Sequence, residues 1–398
     1  MSTTLHVWPH PRIESGGFVR ESARVEYPGK EACDLWFEVP VEWKSKLSDR
    51  HDHFLLAVIF RAMEDADKCH IHGTVTQSLL RNLEEFNAVW RAWDPSRYRS
   101  VELIVDTAAP TACRDGLGAL LAFSGGVDAT ASLYRHTAGR LGWRRRDIQA
   151  GVLVQGFDIS LNEGDAFSRT LTRAAGLMAR LGLPVIPVRT NLMGLGCDWE
   201  MCFAVHLAAC LNLLSGGYGA GLMGSDEPYA FLEVPWGSNP ISNPLLGSPQ
   251  FEIVTDGAEL TRLEKVRLLG NWREGVESLR VCWEGPMTGS NCGVCEKCVR
   301  TRLELLVCGI EDPSPFESPL LPGHLAKITP RNKLQLRHLR DVLDECEKRD
   351  MRAWWVPELR RIVEAGVPKP SVVRALARRI VPPRIRPWLK QLLPVSVR

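Results

Sequence analysis

The sequence predicts an α/β protein whose main part is a parallel sheet with helices on both faces, preceded by a small α+β domain. Three observations carry this expectation. From Leu120 onward, strand-length apolar runs alternate with helix-length amphipathic segments, the rhythm of right-handed βαβ crossovers. The helical segments close on glycines, at Gly182 and at Gly216 and Gly217. At 398 residues, 45% hydrophobic and 24% charged, the chain exceeds one ordinary core.

In order, strands are predicted at residues 120–123, 148–154, 185–188 and 219–223, and helices from the glycines after Phe123 to about His136, through Phe167, Leu171, Ala174, Met178 and Leu181, and over 199–214. Before them, residues 25–105 read as strands, two helices and a strand. Leu35, Phe37 and Val39 alternate as one strand face. Asp52 is placed to cap a helix carrying Phe54, Leu55, Val58, Ile59 and Ala62, and a second helix carries Leu79, Leu80, Leu83, Phe86 and Trp90. The turn-rich stretch 106–116 reads as a linker. The expected division is therefore an N-terminal α+β domain (1–112), an α/β domain (113–312) and a mainly helical basic extension (313–398).

Charge is balanced, 49 basic against 47 acidic residues, so a polyanionic partner is neither required nor excluded. No apolar run approaches the roughly 18 residues of a membrane span and no N-terminal apolar signal is present, so a cytoplasmic protein without a membrane span is expected. Eight of the twelve cysteines are scattered and read as buried or incidental thiols.

The segment LLAFSGGVDATASL carries the first chemical signal. In open α/β sheets ligands sit at the carboxyl ends of strands, and Ser124, Gly125 and Gly126 fall there, before a helix N-terminus whose free N–H groups favour anions. The glycines remove side chains that would hold a phosphate away from the backbone. Asp128 suits the Mg2+ that accompanies a nucleoside triphosphate. The pattern is neither Walker A nor G-x-G-x-x-G.

SGGVD resembles the PP-loop, S-G-G-x-D-S, of the ATP pyrophosphatases, which split ATP between the α and β phosphates and transfer AMP to a substrate oxygen. The resemblance implies a Rossmann-like, adenine nucleotide alpha hydrolase-like domain in which Ser124, Gly125, Gly126, Val127 and Thr130 hold ATP and Asp128 holds Mg2+. Ala129 stands where the family usually has serine, with the Thr130 hydroxyl one residue late.

The second signal is CWEGPMTGSNCGVCEKC: Cys282, Cys292, Cys295 and Cys298. Four thiolates at such spacing complete the tetrahedron that zinc prefers, although four cysteines also suit an iron–sulfur cluster. Lys297, Arg300 and Arg302 are placed to offset the negative charge of a zinc–thiolate centre. A PP-loop followed by C-x9-C-x2-C-x2-C resembles the 7-cyano-7-deazaguanine synthases of queuosine biosynthesis over about residues 120–309. In that family the zinc is structural and a carboxylate is adenylated for attack by ammonia.

The resemblance also implies a lysine that neutralises departing pyrophosphate, matched by Lys265 with Arg262 one turn earlier. A solvated helix face is the plain alternative for both. Ser225, Asp226 and Asn239, in a long turn-rich segment after the fourth strand, are candidates for acceptor binding, or for loop caps. Asp158, after the second strand, falls where the resemblance implies a residue that holds adenosine, although a simple turn approaching a helix would look the same. His206 reads as a core histidine. The tail 368–398 has eight basic residues, six prolines and no acidic residue, and is expected to pack or to meet a protein partner.

The function expected is that of a C–N ligase using ATP, Mg2+, a small-molecule acid and a nitrogen donor, with a homodimer or partner contact through the N-terminal domain or tail. A tRNA-modifying adenylating enzyme is the alternative, for which Cys197 and Cys202 are the thiols to watch, with nothing in the sequence to activate them. A non-catalytic nucleotide-binding module is the third reading.

Overall fold

The computed structural model describes residues 2–111, 117–139, 141–284, 288–311, 314–316 and 318–368. Contacts divide the chain into two units, Met1–His324 and Leu325–Arg398.

The first unit opens with β1 (Thr4–Pro9), β2 (Ile13–Ser15), β3 (Phe18–Glu26), β4 (Cys33–Pro40), α1 (Asp52–Asp65), β5 (Lys68–Thr76), α2 (Gln77–Trp93) and β6 (Glu102–Ala109). It continues through β7 (Ala119–Ala122), α3 (Val127–Thr137), β8 (Ile148–Gln155), α4 (Gly164–Ala179), β9 (Val185–Thr190), α5 (Trp199–Asn212), β10 (Ala220–Gly224) and β11 (Glu252–Asp256). After these come α6 (Arg262–Leu269), α7 (Arg273–Glu277), α8 (Glu296–Val307) and the short α9 (Pro322–Leu325). In the second unit, α10 (Lys333–Lys348) and α11 (Val356–Ala365) pair through apolar stripes including Leu339, Val342, Leu343, Leu359 and Ile362.

All strands of the first unit join one mixed sheet of 11 strands, in the order β11-β10-β7-β8-β9-β4-β3-β1-β5-β6 with β2 beside β3. The block from β11 to β9 is parallel, as is β1-β5-β6. The pairs linking β9 to β4, β4 to β3 and β3 to β1 are antiparallel. The expected boundary at 112/113 therefore falls inside one compact unit. Its cause is visible in the pairing of Phe37 with Thr190 and Glu38 with Arg189, and in a single apolar core that runs from Leu5 and α1 to α5 and Ile253. The segment 112–116 within the expected linker lies outside the described residues.

β7 is apolar on both faces because both are covered: Leu120 and Ala122 join the core shared with α5, while Ala119 and Leu121 join the layer of α3 and α4. The chain moves from β7 outward to β8 and β9, then returns past β7 to β10 and β11. Strand order thus reverses at β7, where a crevice opens between the β7 and β10 connections. The predicted strands and helices of this half agree closely with the observed elements. Asp52 does not cap α1: it accepts the Thr76 backbone N–H at 2.7 Å and the Thr76 hydroxyl, so it ties down the residue preceding α2.

Candidate active site

The SGGVD turn leaves the carboxyl end of β7 at that reversal. Gly125 has φ 78°, a conformation an L side chain enters at a cost, and its carbonyl accepts the Arg280 N–H at 2.8 Å. Gly126 precedes α3 with extended backbone and no side-chain cap, so the first N–H groups of the helix face the crevice. Gly224, at the end of β10, approaches so closely that a Cβ there would lie 2.7 Å from the Asp128 carbonyl carbon. A cavity of ≈ 160 Å3 opens here, lined by Ser124, Gly126, Asp128, Phe203, Arg262 and Lys297, with Val127 among its other walls. A larger depression of ≈ 400 Å3 at the β11 edge, lined by Arg146, Tyr229 and Glu252, shares no residue with this turn.

Asp128 is the centre of a charge network. Its Oδ1 accepts from Lys265 Nζ at 3.0 Å and its Oδ2 from Arg262 Nη1 at 3.0 Å. Both cations are at most 5% exposed, so neither belongs to a solvated helix face. A Thr261–Glu264 capping box starts α6 and fixes the pitch that puts Arg262 and Lys265 on one side. Lys265 also donates to the Ser225 carbonyl. Arg262 is held from behind by Glu304 at 3.1 Å and by the Thr301 hydroxyl at 3.1 Å, both on α8. Arg300 pairs with Glu296 at 2.7 Å and reaches Glu304 at 3.4 Å.

The other predicted residues are more dispersed. Thr130 is buried, does not line the cavity, and its hydroxyl has no partner among the described residues, so the hydroxyl foreseen for phosphate points into the fold. Ser225 is buried and donates to the Glu227 carbonyl at 2.6 Å. Asn239 is buried and spent on its own turn: its amide donates to the Trp236 carbonyl, and its oxygen accepts from Ile241 and Ser242. These two organise the loop, which is the cap reading of the pair. Asp226 accepts from the Trp236 indole at 2.9 Å. Its pKa is raised to about 6, chiefly by burial and then by the Asp128 charge, with the indole hydrogen bond opposing both. Neighbouring Glu227, fully buried and unmarked in the sequence, is pushed up to about 8 by burial and by Asp226. Asp158 is exposed and outside the cavity lining, but its charge acts on Lys297.

The four cysteines converge. All their Sγ atoms lie within 4.8 Å of one another, with Cys282–Cys295 at 4.0 Å and Cys292–Cys298 at 3.9 Å. A tetrahedron with Zn–S near 2.3 Å has sulfurs about 3.8 Å apart, so the set could hold a metal such as zinc. The Val294 and Cys295 N–H groups point at Cys292 Sγ, at 3.5 Å and 3.3 Å. Of the three cations expected to offset this centre, only Arg302 does so: it is buried beside Gly293, over the Phe316 ring, and feels the charge of Cys298. Arg300 is committed to Glu296 and Glu304. Lys297 turns instead into the cavity over the SGGVD turn, where burial lowers its pKa and Asp158 opposes the shift.

One grouping contradicts the sequence reading. Cys197, Cys202 and His206 lie within 4.8 Å of one another, with Cys202 Sγ 3.6 Å from His206 Nδ1. His206 is buried as expected and also meets Cys202; the Cys202 contact, and after it the His206 ring, lower the Cys197 thiol below its ordinary value against the effect of burial. The i,i+4 spacing of Cys202 and His206 on a helix was the available signal. Neither residue lines the cavity. Searches of protein-family models, curated proteins and solved structures match nothing to this chain.

Proposed function

We propose that the chain is an ATP-dependent synthase that cleaves ATP to AMP and pyrophosphate, activating a small-molecule carboxylate for a nitrogen nucleophile. The single observation that carries this reading is the meeting of Asp128 with buried Lys265 and Arg262 over a glycine turn at the strand-order reversal. A carboxylate there suits Mg2+, and two cations on the same carboxylate are placed to take up charge as pyrophosphate departs. The helix N-terminus after Gly126 and Lys297 from α8 would hold phosphate oxygens.

The acceptor carboxylate oxygen would attack the α-phosphorus, the α–β anhydride would break, and pyrophosphate would carry away the electron pair. The nitrogen nucleophile would then attack the acyl carbon and expel AMP. Holding both reactants over one turn supplies much of the rate by proximity. Asp226 and Glu227 follow Ser225, whose carbonyl Lys265 holds; burial biases both toward the protonated form, and neither lines the cavity, so the acceptor would meet the turn from the open side of the crevice.

Incubation with ATP, Mg2+ and a panel of carboxylic acids plus ammonium tests the proposal. AMP and pyrophosphate in equal amounts, lost in Asp128→Asn, are expected; ADP as the nucleotide product would overturn it. A second reading, adenylation of a tRNA base for sulfur delivery, draws on the Cys197–Cys202–His206 grouping. Its mark would be tRNA binding that weakens steeply with salt.

A further inference from the structure

The face of the sheet opposite α1 carries a cluster that neither the SGGVD turn nor the cysteine centre uses. Leu5 and Val7 point into the core, so His6 and Trp8 of β1 point the other way. β5 runs parallel to β1 and sets His70 opposite His6, and His72 follows on the same face. His6 Nδ1 lies 3.0 Å from His72 Nε2, and one ring nitrogen from each of the three histidines falls within 4.8 Å of the others. Asp106 on β6 stands behind two of the rings, its Oδ1 3.0 Å from His70 Nε2 and 3.6 Å from His72 Nδ1. Trp8 stacks on His72 with ring centres 3.3 Å apart, and its indole donates to Glu26 at 3.2 Å, which fixes the ring plane.

Strand pairing alone gives no reason to gather three imidazoles, which repel one another once protonated. A shared cation does. Zinc with nitrogen ligands at 2.0–2.1 Å places them about 3.3 Å apart; His6 and His72 stand at hydrogen-bond distance, 3.0 Å, and need open by only a few tenths of an ångström to take the ion. A carboxylate hydrogen-bonded to the nitrogen remote from the ligand atom is the arrangement that fixes a metal-binding tautomer; Asp106 makes such a bond to His70 Nε2 at 3.0 Å, leaving His70 Nδ1 for the ion, and stands 3.6 Å from His72 Nδ1. The three side chains are half-buried, so an ion can enter from solvent.

We propose that His6, His70 and His72 form a second metal site, for a divalent transition-metal ion of imidazole preference such as Zn2+, with Asp106 as the orienting carboxylate and a position left for water. Bound metal would tie β1 to β5 across 64 residues of chain.

The test uses the full chain, dialysed until only tightly held zinc remains, then titrated with Co2+ while bound metal and the visible spectrum are read. One further equivalent is expected, with the weak bands of nitrogen and oxygen ligation and no sulfur-to-cobalt charge transfer. His72→Gln should weaken that equivalent at least 100-fold. Asp106→Asn, at an exposed position, should weaken it about 10–100-fold while the tightly held zinc stays unchanged. The proposal falls if no further equivalent binds, if it binds equally to both variants, or if its spectrum carries the sulfur signature, which would send it to Cys197 and Cys202.

Discussion

At the scale of single residues, the proposed function rests on buried charge. Lys265 is 2% exposed and sits on Asp128, so its removal takes away a cation that the leaving pyrophosphate would need. Lys265→Ala should lower AMP formation by about 100-fold or more with the fold intact, checked by turnover alongside circular dichroism. Glu304 has a different job. It is 1% exposed and holds both Arg262 and Arg300, so Glu304→Ala leaves two buried guanidiniums short of a counter-charge. The expected loss is about 3–5 kcal/mol in urea unfolding. Glu227 adds a pH dependence with a definite sign. Its pKa rises from an ordinary 4.5 to about 8 in the fold, so between those values the native state binds the extra proton. Stability should therefore fall as pH rises from about 4.5 to about 8, and Glu227→Gln should flatten that slope in denaturation midpoints taken across the window. The convergence of the four cysteines was legible because C-x2-C-x2-C spacing has one dominant chemistry, and the place of the SGGVD turn at a strand end because an apolar run precedes it; the meeting of Lys265 with Asp128 was suggested only by the resemblance, since helical spacing alone reads equally as a solvated face. Lys297 was misassigned because sequence neighbourhood with Cys295 and Cys298 does not tell which way a helical side chain points.

At the scale of elements, α8 links the two signals that the sequence offers separately. Cys295 precedes it and Cys298 lies in its first turn, Lys297 enters the cavity, and Thr301 and Glu304 hold Arg262. A metal on the four cysteines would fix the start of this helix, and with it the cations over the turn. Stripping metal with a chelator, or Cys298→Ser, should thus weaken nucleotide binding as well as stability, whereas a centre that only staples a distant segment would leave binding unchanged. The turn before α3 permits a sharper contrast. Gly125→Ala pays the left-handed conformation, about 1–2 kcal/mol, while Gly126 has ordinary backbone angles, so Gly126→Ala should spare stability and act on phosphate binding alone. β11 escaped the sequence reading because EIVTD is short and lies in turn-rich chain, and β5 because alternating histidines do not register as an apolar strand face.

At the scale of the molecule, one sheet carries both the crevice and the histidine cluster, and α1 against α5 closes their common core. The parallel rhythm of β7 to β10 could be read from the chain, since strands covered on both faces are apolar throughout. The joining of β4 to β9 could not, because an antiparallel pairing such as Glu38 with Arg189, far apart in the chain, leaves no local pattern. Among the described residues no helix is long and apolar enough to cross a membrane. The basic tail expected to meet a partner lies outside them from residue 369 onward. The proposed function requires the turn at Ser124–Asp128 to receive Mg2+-bound ATP with its α–β linkage over Asp128 and Lys265. Calorimetric titration with α,β-methylene ATP and Mg2+, which cannot be cleaved at that linkage, tests it without knowledge of the acceptor. One site per chain is expected, weakened at least tenfold by Gly126→Ala and by Lys265→Ala; absence of binding to the wild type, or equal affinity in all three proteins, would overturn the proposed function.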